Sequence, residues 1–122
     1  ETPFHITKAV FDQTDQQVNA KITAEYHGKT KALEANGNGR LNAVLNAVNA
    51  ELQQNIDITS YTEHALEDGS DSRACAYVAI TDENGSVTWG VGIHHDIITA
   101  SVRALQSAIN RKLQKESDKI WE

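Results

Sequence analysis

Ala35-Asn36-Gly37-Asn38-Gly39-Arg40-Leu41 is the stretch on which the fold turns. Before it, Thr30 to Ala35 reads as a strand. After it, Leu41, Val44, Leu45, Val48 and Leu52 fall on one helical stripe. A Gly-x-Gly corner therefore joins strand to helix. The plan returns in Gly90-Val91-Gly92-Ile93, where a strand-like run meets a second glycine pair and leads into the last helix. Glycines at such a corner let the backbone approach a ligand closely, and the helix start behind offers unpaired N–H groups to an anion. Two such corners without an evident catalytic set point to small-molecule sensing rather than chemistry.

Outward from the first corner, Val18, Ala20, Ile22, Ala24 and Tyr26 alternate with Asn19, Lys21, Thr23 and Glu25, the mark of a half-buried strand. His27-Gly28-Lys29 is the turn to the return strand, and Phe4, Ile6 and Val10 give a weaker strand beforehand. In the second half, Ile56 and Ile58 open a long strand through Tyr61 and Glu63-His64-Ala65. Ala74, Ala76, Val78 and Ile80 alternate next, and Asp82-Glu83-Asn84-Gly85 is a hairpin turn. Val87, Trp89, Val91 and Ile93 follow. A helix starting near Asp96 carries Ile98, Val102, Leu105, Ile109 and Leu113, with Ala100, Ala104 and Ala108 on a neighbouring side that permits close packing.

The expected fold is α+β: two pseudo-symmetric βββα units, mostly antiparallel sheet with two helices packed on one face. The other sheet face should be polar or meet a partner. The 122 residues form one domain, with a first unit over about 3–54 and a second over about 55–120. The opening Glu1-Thr2-Pro3-Phe4 and the absence of any Met read as a fragment of a longer protein.

A composition of 39% hydrophobic and 23% charged residues is that of an ordinary soluble domain. No apolar run approaches the ~18 residues of a membrane span. A net charge of −6 argues against nucleic acid. The clustered Arg111, Lys112 and Lys115 read more simply as complements to the helix dipole. A single cysteine, Cys75, forbids an internal disulfide and fits a reducing, cytoplasmic setting, with the thiol packed inside a strand.

The search for chemistry finds little. There is no Rossmann fingerprint, Walker A, His-Glu-x-x-His or Gly-x-Ser-x-Gly motif. His94-His95-Asp96 has metal-ligand residue types, but adjacent side chains diverge, so no metal site is assigned. Asp96 reads instead as the cap of the last helix, with the histidines exposed beside it. Glu63 and His64 face opposite sides of a strand and cannot easily act together. Trp89 and Tyr77 read as core or interface residues, since no basic groove accompanies them.

Tyr61-Thr62-Glu63-His64-Ala65, Asp68-Gly69 and Ala74-x-Ala76-Tyr77-Val78 resemble the C-terminal regulatory domain of 2-isopropylmalate synthases, a leucine-binding allosteric and dimerisation domain. Gly37-Asn38-Gly39-x-Leu41 resembles that family's first ligand-side corner. Thr88-Trp89-Gly90-Val91-Gly92-Ile93, with Asp96-Ile97-Ile98-Thr99-Ala100-Ser101 and Ala108-Ile109-Asn110-Arg111, resembles the second. The likeness runs from about Val18 to Arg111. Two places depart from it: His94 stands where many members carry an acid, leaving Asp96, and Arg40 stands where proline is frequent.

The resemblance implies a parent enzyme that condenses acetyl-CoA with 2-oxoisovalerate in a metal-dependent TIM barrel, committing carbon to leucine. The present domain would bring no catalytic site and no cofactor. It would bind leucine in a homodimer and mediate feedback inhibition. Carried over by motif, the effector contacts are Gly37, Asn38, Gly39, Leu41 and Asn42 at the first corner, Ala65 and Ala74 from strands, and Gly90, Gly92 and Ile93 at the second. Asp96 is the candidate partner of the effector's ammonium. Ala65, Ala74 and Ala76 leave room for a branched side chain. Two other readings stay open: a citramalate synthase regulatory domain sensing isoleucine, and a dimerisation module that binds nothing.

Overall fold

A computed structural model describes residues 3–120, so the ends of the single-domain assignment, 1–2 and 121–122, lie outside the described residues. The chain divides after Asp57 into two compact units. In the first, β1 (His5–Gln13), β2 (Val18–Tyr26) and β3 (Lys29–Gly37) form an antiparallel sheet in the order β1-β2-β3, followed by α1 (Arg40–Leu52). In the second, β4 (Asp57–Ala65), β5 (Ala74–Thr81) and β6 (Val87–His94) form a sheet in the order β4-β5-β6, followed by α2 (Ile97–Ile120). This is the expected α+β arrangement of two βββα units.

Side-chain alternation decides which sheet face meets the helix. Along β2, Val18, Ala20, Ile22 and Ala24 are buried, on the side where α1 contributes Ala43, Val44, Leu45, Ala47 and Val48. Asn19, Lys21, Thr23 and Glu25 occupy the opposite, polar face. There the Asn19 amide donates to Glu34 Oε2 and Asn36 Oδ1, both at 2.9 Å. The helix ends at Gln53, whose left-handed backbone (φ 52°) returns its N–H to the Asn49 carbonyl. The Asn49 amide then pins the chain beyond, donating to Ile56 O at 2.9 Å and accepting from Ile56 N–H at 3.1 Å.

In the second unit the sequence reading needs a correction. Gly90 and Gly92 do not form a corner; both lie inside β6. They face α2, where the carbonyl of Ala104 lies against Gly90 and that of Ala100 against Gly92. A Cβ on Gly92 would also meet Ala104 N at 2.5 Å and Arg103 Cβ at 2.8 Å. The glycines and the fully buried Ala100, Ala104 and Ala108 together bring helix and strand backbones into direct contact. The periods match, since two strand residues advance about 6.8 Å and four helical residues about 6 Å. The turn into α2 is His94-His95-Asp96 instead.

The basic residues of α2 also differ from expectation. The helix continues to Ile120, so Lys112 stands well inside it rather than at its end. Lys112 is buried, with Nζ 2.6 Å from Glu116 Oε2 and 3.6 Å from Asp82 Oδ2. Lys115 Nζ donates to Val87 O at 3.4 Å and Thr88 Oγ1 at 3.3 Å. Both lysines therefore tie the helix to the β5–β6 hairpin, and tertiary packing outweighs the weak pull of a dipole.

Asp82 is the hinge point of that tie. Its Oδ1 accepts the backbone N–H groups of Asn84 and Ser86, each at 2.9 Å. The Ser86 N–H above all, then that of Asn84 and the Lys112 charge, hold the carboxyl below the usual carboxylate range. A folded-state value below the unfolded one, about 4, gives stability that is complete at higher pH and is lost on acidification through the folded value. The melting temperature of Asp82→Asn should therefore fall less steeply than that of the parent chain below about pH 4. Circular-dichroism melts at stepped pH check this, and parallel acid limbs would contradict it.

Candidate functional site

Five of the site residues named from sequence meet at the β3–α1 junction. Gly37 ends β3 and is buried, because a Cβ there would meet Ala43 N and Asn42 Oδ1, each at 2.5 Å. Its missing side chain is what lets α1 start directly off the strand. Asn38 is exposed, and its N–H donates to Asn42 Oδ1 at 3.1 Å. Asn46 donates to the same oxygen at 3.4 Å and to Asn36 O at 2.8 Å, so a small asparagine network fixes the corner.

Gly39 is different. It stands at the N-cap of α1 with φ −150° and ψ 176°, an extended backbone open to any residue, and no side chain caps the helix. No heavy atom lies within 4 Å of where its Cβ would be. The first turn of α1 carries no acid either, so its positive pole is not neutralised from within the helix. Leu41, half-buried, stands in this same turn. The junction is open, electropositive and shaped by backbone. It can receive a small anion.

The remaining named residues belong to the second unit, where they spread along one sheet. Ala65 ends β4 and Ala74 begins β5, joined through Leu66 N–H to Arg73 O at 2.8 Å. Between them Glu67 closes the loop on Arg73, accepting its backbone N–H at 2.9 Å and its guanidinium at 3.2 and 3.3 Å. That backbone N–H first, then the guanidinium, lowers the Glu67 carboxyl from its ordinary value. Ala74 pairs with His94, and Cys75 with Ile93, so Ala74 and Ile93 share the end of the sheet that leads to Asp96. Gly90 lies farther along β6, opposite Val78. Ala76 is fully buried on the side facing α2, so it widens no exposed pocket.

Asp96 caps α2 as expected, with Oδ2 accepting from Thr99 N–H at 3.0 Å and from Thr99 Oγ1 at 2.7 Å. His94 is less idle than its sequence reading: Nδ1 accepts the Asp96 N–H at 2.9 Å, which helps shape the turn. Among the described residues no group of three or more His, Cys, Asp or Glu is placed to hold a metal ion. Cys75 is buried, as read from its strand. His64 stacks on Tyr77 with ring centroids 5.7 Å apart.

Two features escaped the sequence reading. Tyr61 reaches α2, its hydroxyl 2.6 Å from Ser101 Oγ and donating to Glu63 Oε2. Only the fold brings these positions together. The second is an apolar outer face on the second sheet. Tyr77 pairs with Val91, and Val87, Trp89, Val91 and Ile93 all stand exposed along β6, Trp89 at 48% and Val91 at 44%. Trp89 and Tyr77 are therefore not core residues. The first sheet turns a polar face outward, as one expected alternative has it, and the second turns an apolar one. Large exposed apolar surfaces mark interaction sites.

Comparison with known proteins shows the family. The LeuA allosteric (dimerisation) domain family matches residues 5–113. The chain is 46% identical over 93 residues to a 2-isopropylmalate synthase of Desulfitobacterium hafniense, covering 76% of this chain and 17% of that protein. It is 40% identical over 112 residues to one of Helicobacter hepaticus, covering 88% and 20%. It is 39% identical over 110 residues to one of Corynebacterium glutamicum, covering 88% and 17%. The chain thus spans no more than 20% of the length of these relatives.

Proposed function

Since the chain belongs to the LeuA allosteric (dimerisation) domain family, we propose that it is the leucine-sensing regulatory domain of a 2-isopropylmalate synthase. On this reading it carries no catalytic site. The transfer of an acetyl group from acetyl-CoA to 2-oxoisovalerate belongs to a separate, metal-dependent barrel domain of the same cytoplasmic enzyme. Leucine binding here feeds back on that step.

The observation that carries the reading is the uncapped start of α1 at Gly39. A leucine carboxylate against those N–H groups gains about 0.3–1 kcal/mol when exposed and up to about 2 when partly buried. Burial of the isobutyl side chain adds about 1.5–3 kcal/mol. Leu41, Asn38 and Asn42 stand beside that start; Ala65, Ala74, Gly90, Gly92, Ile93 and Asp96 are proposed effector contacts of the second unit, each unit being taken by itself. In β6 the glycine side is filled by α2, so any contact there is made through the strand itself. Inhibition requires effector affinity to differ between active and inactive enzyme, typically by about 1–3 kcal/mol of coupling. A homodimer supplies two such arrangements, and the apolar outer face of the second sheet is the surface proposed to join the copies.

Calorimetric titration with leucine, and with isoleucine as control, tests the reading. Leucine should bind and isoleucine, the effector expected of a citramalate synthase domain, should bind more weakly; the order reversed favours that alternative. Gly39→Val should abolish leucine binding by covering the helix start. Its fold should lose only about 1 kcal/mol or less, because the backbone there is extended and its surroundings open. Unchanged leucine affinity in this variant would remove the site from α1.

A further inference from the structure

We propose that the first unit holds a second binding site, at the far end of α1, for a small carboxylate with an apolar body. A cleft of about 190 Å³ opens there, floored by Phe4, Ala24 and Leu33 and rimmed by Tyr26, His27 and Lys29. Glu51 and Lys31 form its remaining wall. Glu51 lies in the last turn of α1 and Gly39 at its start, so about 18 Å of helix separates the cleft from the proposed leucine contacts at the Gly39 corner. The inference does not depend on that reading.

Three observations assign the ligand class. The floor is apolar: half-buried Leu33 faces the cleft, and beneath it Ala24 and Phe4, its ring edge-on to Tyr26 at 6.0 Å, are buried. The charge at the rim is unequal. Lys31 Nζ is paired with Glu51 Oε2 at 2.9 Å, which neutralises both, while the Lys29 ammonium makes no ion pair or hydrogen bond among the described residues. A single cation over an apolar floor matches a single carboxylate on a hydrocarbon body. The size agrees too: the cleft equals about six waters at 30 Å³ each and is smaller than the 300–1,000 Å³ of drug-sized pockets.

The turn at the rim shapes the wall of the cleft. Tyr26 pairs with Lys29, so His27-Gly28 is a two-residue hairpin loop, with φ 54° and 74°. Such turns take residues that tolerate positive φ, glycine first and Asn, Asp and His among the rest. The His27 ring lies against the Tyr26 ring, centroids 3.9 Å apart, and together they form an aromatic wall beside Lys29.

The test uses the whole chain and two probes of one shape, 4-methylpentanoate and its neutral amide. The acid should shift backbone amide resonances of residues 26–33 and saturate, with the amide roughly tenfold weaker or worse because it lacks the charge. Lys29→Glu should weaken the acid by a similar factor, and Gly39→Val should leave it unchanged. Leucine moving the same resonances assigns the cleft to amino acids, and the acid alone assigns it to acids lacking an ammonium. Equal affinity of acid and amide, no saturable shift in residues 26–33, or shifts confined to residues 38–42 would overturn the proposal. Loss of leucine binding at Gly39 would leave it standing.

Discussion

Gly92→Val will strongly destabilise the second unit, while Gly39→Val will leave the first one close to its parent stability. Any Cβ at Gly92 enters the backbone of α2, against the Ala100 carbonyl and 2.5 Å from Ala104 N. These are helix atoms, not the ends of flexible side chains, so the whole helix must retreat. Retreat opens the contacts of Leu105 and Ile109, both buried to within 1% of complete. The cost should reach about 3 kcal/mol, the upper end for overpacked cores. At about 4 °C lost per kcal/mol for a chain of 122 residues, the melting temperature should fall by about 12 °C. Thermal melts of the two variants side by side check it. A Gly92→Val chain melting within about 2 °C of the parent would mean that the helix is not held where the strand glycines place it.

The contrast between these two glycines marks how far the sequence could be read. Glycine in a turn and glycine in a strand look alike in a linear text, and both sit before a helix here. The distinguishing sign was present at Ala100, Ala104 and Ala108, whose spacing already required a close neighbour. Nothing local named that neighbour as Gly90 and Gly92. By contrast β2 was legible to its last residue, Val18–Tyr26, because one face is fully buried and the alternation has no break. β1 was faint for a physical reason: its register with β2 shifts between Ile6 and Lys8, and a bulge there resets the two-residue period.

The candidate corner at the β3–α1 junction was legible only in part. Gly37 to Asn42 could be located because a strand, two glycines and an apolar stripe leave one arrangement for the chain. The roles within that corner were not separable: Gly37 makes room for α1, whereas Gly39 leaves its start open. Lys112 shows the same limit, since its partner Asp82 is thirty positions away and only the folded hairpin brings it to 3.6 Å. The cleft beside Lys29 was invisible for that reason as well. Phe4, Leu33 and Glu51 share no local pattern.

The largest effect expected on assembly lies in β6. Val91→Glu should convert the proposed dimer into monomer without harming the fold. Val91 is exposed and pairs with Tyr77 across the outer face, while its neighbours Gly90 and Gly92 point to the helix, so a glutamate at 91 meets solvent in the free chain. In a dimer closed through this face the same carboxylate would be buried among Trp89, Ile93 and their copies, without a cation on this face of β6 to meet it. Charges buried unpaired at an interface cost at least about 2 kcal/mol, the threshold of a hot spot, or roughly thirtyfold in dissociation constant. A twofold-symmetric contact carries the change twice, so the loss should be larger still. Thr23→Glu, on the polar outer face of the first sheet, is the matched control and should leave assembly unchanged. Sedimentation across a dilution series reads both variants. Should Val91→Glu sediment as the parent does at every concentration, the copies must join through some other surface, and the exposed tryptophan would need a different partner.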